Sequence, residues 1–176
     1  LANGNAASGA GVFLPGCRTV ITNCVIVSNR MSSYTYTYGC GIYAALGTLD
    51  VVDSVVRGNF TAASMEQSYG GGLYALDAVV TLRNVVVDGN YLRVNTPAQG
   101  AGAYLSGGSA LLEGCSFLTN RADGGYGHRG GAIYATGVNP LAIRNSSFVG
   151  NYAWAFNGVA NGGALWIGTT PAVVSN

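Results

Sequence analysis

Lysine is absent from this chain of 176 residues, and charge of either sign is scarce. Eight arginines face seven acids for a formal charge of +1, and charged residues make up 9% of the chain, against about 25% in an ordinary soluble domain. Without a basic excess no surface neutralises a phosphate backbone, which argues against a nucleic-acid partner. No run of about 18 apolar residues occurs, so no helical membrane span is expected. Histidine occurs once, at His128. The four cysteines, Cys17, Cys24, Cys40 and Cys115, form neither a CxxC pair nor a metal-ligand spacing with it. They read as buried free thiols, with one disulfide as the alternative. What is abundant is apolar surface, at 49% of residues, and glycine, at 28 residues. The first excludes a disordered chain. The second lacks the three-residue period of collagen.

Glycine recurs on a longer period. Six segments align, Gly9–Phe13, Gly39–Tyr43, Gly70–Tyr74, Gly100–Tyr104, Gly130–Tyr134 and Gly162–Trp166, with starts 30, 31, 30, 30 and 32 residues apart. A second marker follows in phase at Asn23, Asp53, Asn84, Gly114, Asn145 and Asn176. A third follows at Asn29, Asn59, Asn90, Asn120 and Asn151. Each unit holds three short alternating runs rich in β-branched residues, which is strand character. The first is the glycine run that ends in an aromatic. The second comprises Thr19–Thr22 and its equivalents, the third Cys24–Val27 and its equivalents. A repeat of this length built from strands alone predicts an all-β parallel β-helix solenoid of about six turns, three strands per turn, in one domain over residues 1–176.

Alternation assigns the faces. One inward column is Ile21, Val51, Leu82, Leu112, Ile143 and Val174; another is Ile26, Val56, Val87, Phe117 and Phe148; the third is Val12, Ile42, Leu73, Ala103, Ile133 and Leu165. The Asn column 29, 59, 90, 120 and 151 reads as a structural ladder, because stacked amides bond one another and Asn tolerates turn conformations. Arg83, Glu113 and Arg144 share one outward column, and Arg57 and Asp88 another, so their pairing is a check on the register.

Gly130 to Ile133 reads GGAI, and Phe117 to Asn120 and Phe148 to Asn151 read FxxN. These motifs resemble the repeats of the polymorphic membrane proteins of chlamydiae, in the pectin-lyase-like superfamily. The resemblance implies an autotransporter-type surface adhesin with a right-handed parallel β-helix. The remaining units carry looser forms such as GCGI, GGGL and VDGN. The superfamily also contains polysaccharide lyases and hydrolases, so catalysis is a reading to test. Glycoside hydrolysis needs two carboxyls about 5–9.5 Å apart. The acids Asp50, Asp53, Glu66, Asp77, Asp88, Glu113 and Asp123 gather in no column on adjacent turns. No catalytic residue, metal or cofactor is therefore assigned, and the expectation is a non-enzyme. The segment Asp123–Arg129, which holds the histidine, reads as a solvated loop.

One outward column could do more than fold. Phe13, Tyr43, Tyr74, Tyr104, Tyr134 and Trp166 repeat on six turns beside a strip of Gly11, Gly41, Gly72, Gly102, Ala132 and Ala164. Either the rings form a ladder covered by loops, or they form an exposed platform for a glycan or a protein. Burial of Tyr74 and Tyr104 by the same chain would favour the first. The segments Arg30–Tyr38, Phe60–Tyr69, Tyr91–Gln99, Arg121–Arg129 and Tyr152–Asn161 read as loops from one corner, forming one surface. Asn59 and Asn145 lie in N-glycosylation sequons. Neither end reads as a solenoid cap, which predicts a segment of a longer chain or a filament subunit. The expected role is that of an extracellular structural or adhesive surface protein. Its expected partners are copies or segments stacked end to end, glycans or a surface receptor. The alternative is a carbohydrate-binding module that uses the aromatic ladder.

Overall fold

The computed structural model describes residues 6–63 and 67–176; Glu66, counted above among the acids, lies outside them. The chain is a β-solenoid in which every strand pairs in parallel with its counterpart one turn away. No helix occurs among the described residues. The three expected strands of each turn are present. The third turn carries them as Leu73–Leu76, Val79–Arg83 and Val86–Asp88, here called the first, second and third faces. Six, six and five strands stack on these faces.

Two further strands per turn correct the expectation of three. The segments read as loops are a fourth face, Arg30–Ser33, Phe60–Ala63, Tyr91–Val94, Arg121–Gly124 and Tyr152–Ala155, and a narrow fifth face that includes Thr37–Tyr38, Ser68–Tyr69 and Ala98–Gln99. Polar inward positions hid the fifth face from an alternation reading, and scarcity of β-branched residues hid the fourth. Thr61 on the fourth face and Thr37 and Ser68 on the fifth are polar yet buried. Thr37 and Ser68 satisfy each other through a 2.6 Å hydroxyl bond across the turn, which removes the cost of burying them.

The register holds where charge tests it. Arg83 pairs with Glu113, and Glu113 with Arg144. Arg83 Nε lies 3.6 Å from Glu113 Oε2. Arg57 stands opposite Asp88. The inward columns form one continuous apolar core from Ile21 to Ile143; Phe148 stacks on Phe117 at 5.2 Å and is partly buried against it, while Val174, expected inward, is exposed on the last turn.

The Asn markers form the expected ladder. Asn59 Nδ2 donates to Asn90 Oδ1 at 2.9 Å, and Asn90 Nδ2 to Asn120 Oδ1 at 3.0 Å. Each backbone N–H donates to the same acceptor oxygen. Each Nδ2 also bonds a carbonyl of the preceding turn, as from Asn90 to Val56. The second marker is a left-handed turn, with φ of 51° at Asn23, 48° at Asp53, 52° at Asn84, 63° at Gly114 and 49° at Asn145. That conformation favours Asn, Asp and Gly over other residues.

The glycine strip does not lie outside beside the aromatics. A Cβ on Gly72 would stand 3.0 Å from Asn90 Nδ2 and 2.5 Å from the Gly102 carbonyl. The strip therefore faces the Asn ladder, and the glycine and Asn motifs are two sides of one contact. All four cysteines are free, as the first reading had it, but only Cys40 and Cys115 are buried; Cys17 and Cys24 are exposed.

Candidate functional site

The aromatic stripe is a continuous stack. Ring centroids step by 4.9, 5.3, 5.2, 5.0 and 4.3 Å from Phe13 through Tyr43, Tyr74, Tyr104 and Tyr134 to Trp166, and the three steps from Tyr74 onward are within 5° of coplanar. The fifth face closes its flank. Tyr38 packs edge-on against Tyr74, Tyr69 edge-on against Tyr104, and Arg129 lies over Trp166. Tyr74 and Tyr134 each retain 7% of their surface, and burial pushes the Tyr74 phenol above its ordinary pKa. Ring faces are thus spent on one another. Tyr104 and Tyr43 are half-buried, and Phe13 at the end of the stack is open.

The other sites read from sequence separate cleanly. Asn59 is fully buried with its amide bonded in the ladder, whereas Asn145 is exposed. Glycan attachment in the folded chain therefore has room at Asn145 and none at Asn59. The segment Asp123–Arg129 is no solvated loop. Asp123 is 5% exposed and His128 fully buried. His128 Nδ1 accepts the Ala98 N–H at 3.0 Å, so its ring proton sits on Nε2, which is buried with no well-formed hydrogen bond among the described residues. Burial holds its pKa below the usual histidine value, against the opposing charge of Asp123.

A groove of about 690 Å³ opens on the outward side of the fourth face. Sequence reasoning missed it because these strands were read as loops. It lies along two outward columns, Arg30, Phe60, Tyr91, Arg121, Tyr152 and Ser32, Ala62, Arg93, Asp123, Trp154; all of these but Arg30, Tyr152 and Ser32 line it. Gly124 and Gly125 let its floor press against the preceding turn: a Cβ on Gly124 would fall 1.6 Å from the Val94 carbonyl, and one on Gly125 2.0 Å from the Asn95 carbonyl. The Asp-Gly-Gly triplet at 123–125 was the available signal.

Asp123 anchors the groove. Tyr91 Oη donates to Asp123 Oδ1 at 2.6 Å, and Arg121 Nε donates to Oδ2 at 2.5 Å. Burial first, and then the bond to Asp123, raise the Tyr91 pKa. The Arg121 guanidinium lies 5.3 Å above the Tyr91 ring and 5.7 Å from that of Tyr152, and Arg30 lies 4.9 Å above Phe60. Trp154 and Phe156 meet edge to face at 6.2 Å, and both are exposed. Arg93, exposed beside Asp123 in the register, forms no ion pair among the described residues. Among the described residues Asp123 is the one acid that lines the groove. No group of three or more metal-capable side chains occurs among the described residues.

No protein-family model matches the sequence, and no curated protein or solved structure matches it significantly.

Proposed function

We propose that this chain is a non-catalytic β-solenoid of an extracellular surface protein or filament, with a structural or adhesive role of the kind that its GGAI and FxxN motifs suggest. The observation that carries this reading is the repetition of the same interior contacts on every turn. The Asn ladder, the aromatic stack and the apolar columns use like residues in like places from one turn to the next. Such a chain behaves as a stiff, quasi-one-dimensional rod whose stability is a sum over neighbouring turns. Its sides are free to carry contacts. Catalysis has a weaker basis, because Asp123, the one acid of the groove among the described residues, is already bonded to Arg121 and Tyr91, and no second described carboxyl lines the groove to divide acid and base roles.

The test is electron microscopy of the native material that contains the chain, joined to a turnover assay on a panel of polysaccharides. Rods or surface stalks with no new reducing or unsaturated ends are expected. Turnover abolished by Asp123→Asn would overturn the reading.

A further inference from the structure

We infer that the groove of the fourth face docks an acidic peptide segment of a partner protein, with one aromatic or large aliphatic side chain inserted between Tyr91, Trp154 and Phe156 and a carboxylate paired with Arg93. The inference rests on the adhesive reading and supplies its partner chemistry.

Composition is the first argument. Binding hot spots are enriched in Trp, Tyr and Arg, and these side chains meet here around a hollow of about 690 Å³. Isolated exposed aromatics are ordinary on a protein surface, but convergence on one concavity beside a guanidinium that has no ion-pair partner among the described residues is not.

Charge is the second. The groove is lined by Arg93, Arg121 and Asp123. Both oxygens of Asp123 are engaged, by Tyr91 and Arg121. Asp123 and Arg121 neutralise each other, and among the described lining residues Arg93 stays as the net charge. Guanidinium binds carboxylate through two parallel hydrogen bonds, a geometry that fixes orientation as well as adding energy. One cation without an ion-pair partner among the described lining residues is too few for a nucleic-acid backbone, which needs a row of them.

Ring geometry favours a peptide over a sugar. A sugar ring needs a free, flat aromatic face. The Tyr91 face is taken by Arg121 and the Phe60 face by Arg30. Trp154 and Phe156 stand edge to face at 68° and offer an angled cleft rather than a platform. An inserted apolar side chain fits that cleft. The hydrogen-bonded Asp123, Arg121 and Tyr91 form its rigid wall, so little ordering cost is added on binding.

The experiment is selection of a random twelve-residue peptide library displayed on phage against the immobilised chain. Enriched sequences are expected to join Phe, Trp or Leu with Asp or Glu. Synthetic copies should bind Arg93→Glu and Trp154→Ala at least tenfold more weakly and should bind Tyr43→Ala, in the aromatic stack, unchanged. Selection repeated on Arg93→Glu should turn to Lys- and Arg-bearing sequences. Unfolding midpoints of the variants verify that each is folded. Enrichment of no consensus, of basic sequences on the wild type, or of sequences indifferent to Arg93→Glu would overturn the inference. So would a neutral or sulfated hexasaccharide that binds the wild type and fails on Trp154→Ala, which would assign the groove to glycans. A negative selection beside rods in the microscope removes the docking site and leaves the structural reading; turnover on polysaccharide removes the structural reading.

Discussion

The first and fourth faces of the solenoid both present columns of aromatic rings, and they treat them in opposite ways. On the first face the same kind of ring returns on each turn and stacks on its neighbours at about 5 Å. On the fourth face the residue changes from turn to turn, from Arg30 to Phe60, Tyr91, Arg121 and Tyr152 in one column and from Ala62 to Arg93, Asp123 and Trp154 in the next. Like rings one strand spacing apart satisfy each other, so a regular column closes on itself. Unlike neighbours do not, and they leave a hollow with side chains of mixed chemistry around it. In this molecule repetition marks what holds the coil, and its local loss marks where a ligand can act.

Breaking the regular side should cost most. Asn90→Ala removes the acceptor of two Asn59 donors and the donor to Val56 in a region sealed from water. A loss of about 4 kcal/mol in denaturant-derived stability is expected, at 1–3 kcal/mol per orphaned buried group. Tyr74→Ala comes next. It removes a ring stacked on both sides, and about 3 kcal/mol should be lost. Trp154→Ala on the fourth face should change stability by about 0.5 kcal/mol or less, as surface positions do. Equal losses for Tyr74→Ala and Trp154→Ala in the same unfolding experiment would erase the distinction between the faces.

His128 sharpens the comparison from the inside, since it is a departure from the repeat that the fold has buried. Its folded pKa is lowered, so the unfolded chain binds the proton more readily. The native state then has its full stability above about pH 6.5, the ordinary histidine value, and loses it progressively as pH falls below that value. Thermal midpoints measured from pH 8 to pH 5 should decline on the acid side, and less so in His128→Asn. A midpoint that is flat, or that rises toward pH 5, would mean that the buried ring gains a proton at no cost.

The contrast also explains what the sequence disclosed. The Asn ladder, the three apolar columns and the Arg83–Glu113 pair were legible because each occupies a fixed place in a fixed period. The fourth and fifth faces were not. On the fifth face Thr37 and Ser68 point inward and are polar, which breaks the apolar alternation that marks a strand; on the fourth the inward Met31, Leu92 and Ala122 are apolar, but the strands carry few β-branched residues. Polarity at Asp123 and His128 likewise suggested solvent, when hydrogen bonds to Tyr91, Arg121 and Ala98 are what allow their burial. The glycine strip was placed outside because alternation was carried through residues that lie before the strand, where the chain turns a corner: Gly70 there has a φ of 63°.

A saturation mutational scan scored by protease resistance tests the central claim most directly. The account predicts that Asn59, Asn90, Asn120, Gly70 and Tyr74 reject nearly all substitutions, while Phe60, Arg93, Trp154 and Phe156 accept most of them and still fold. Outward fourth-face positions as intolerant as the Asn ladder would contradict it, because the groove would then be part of what holds the coil together.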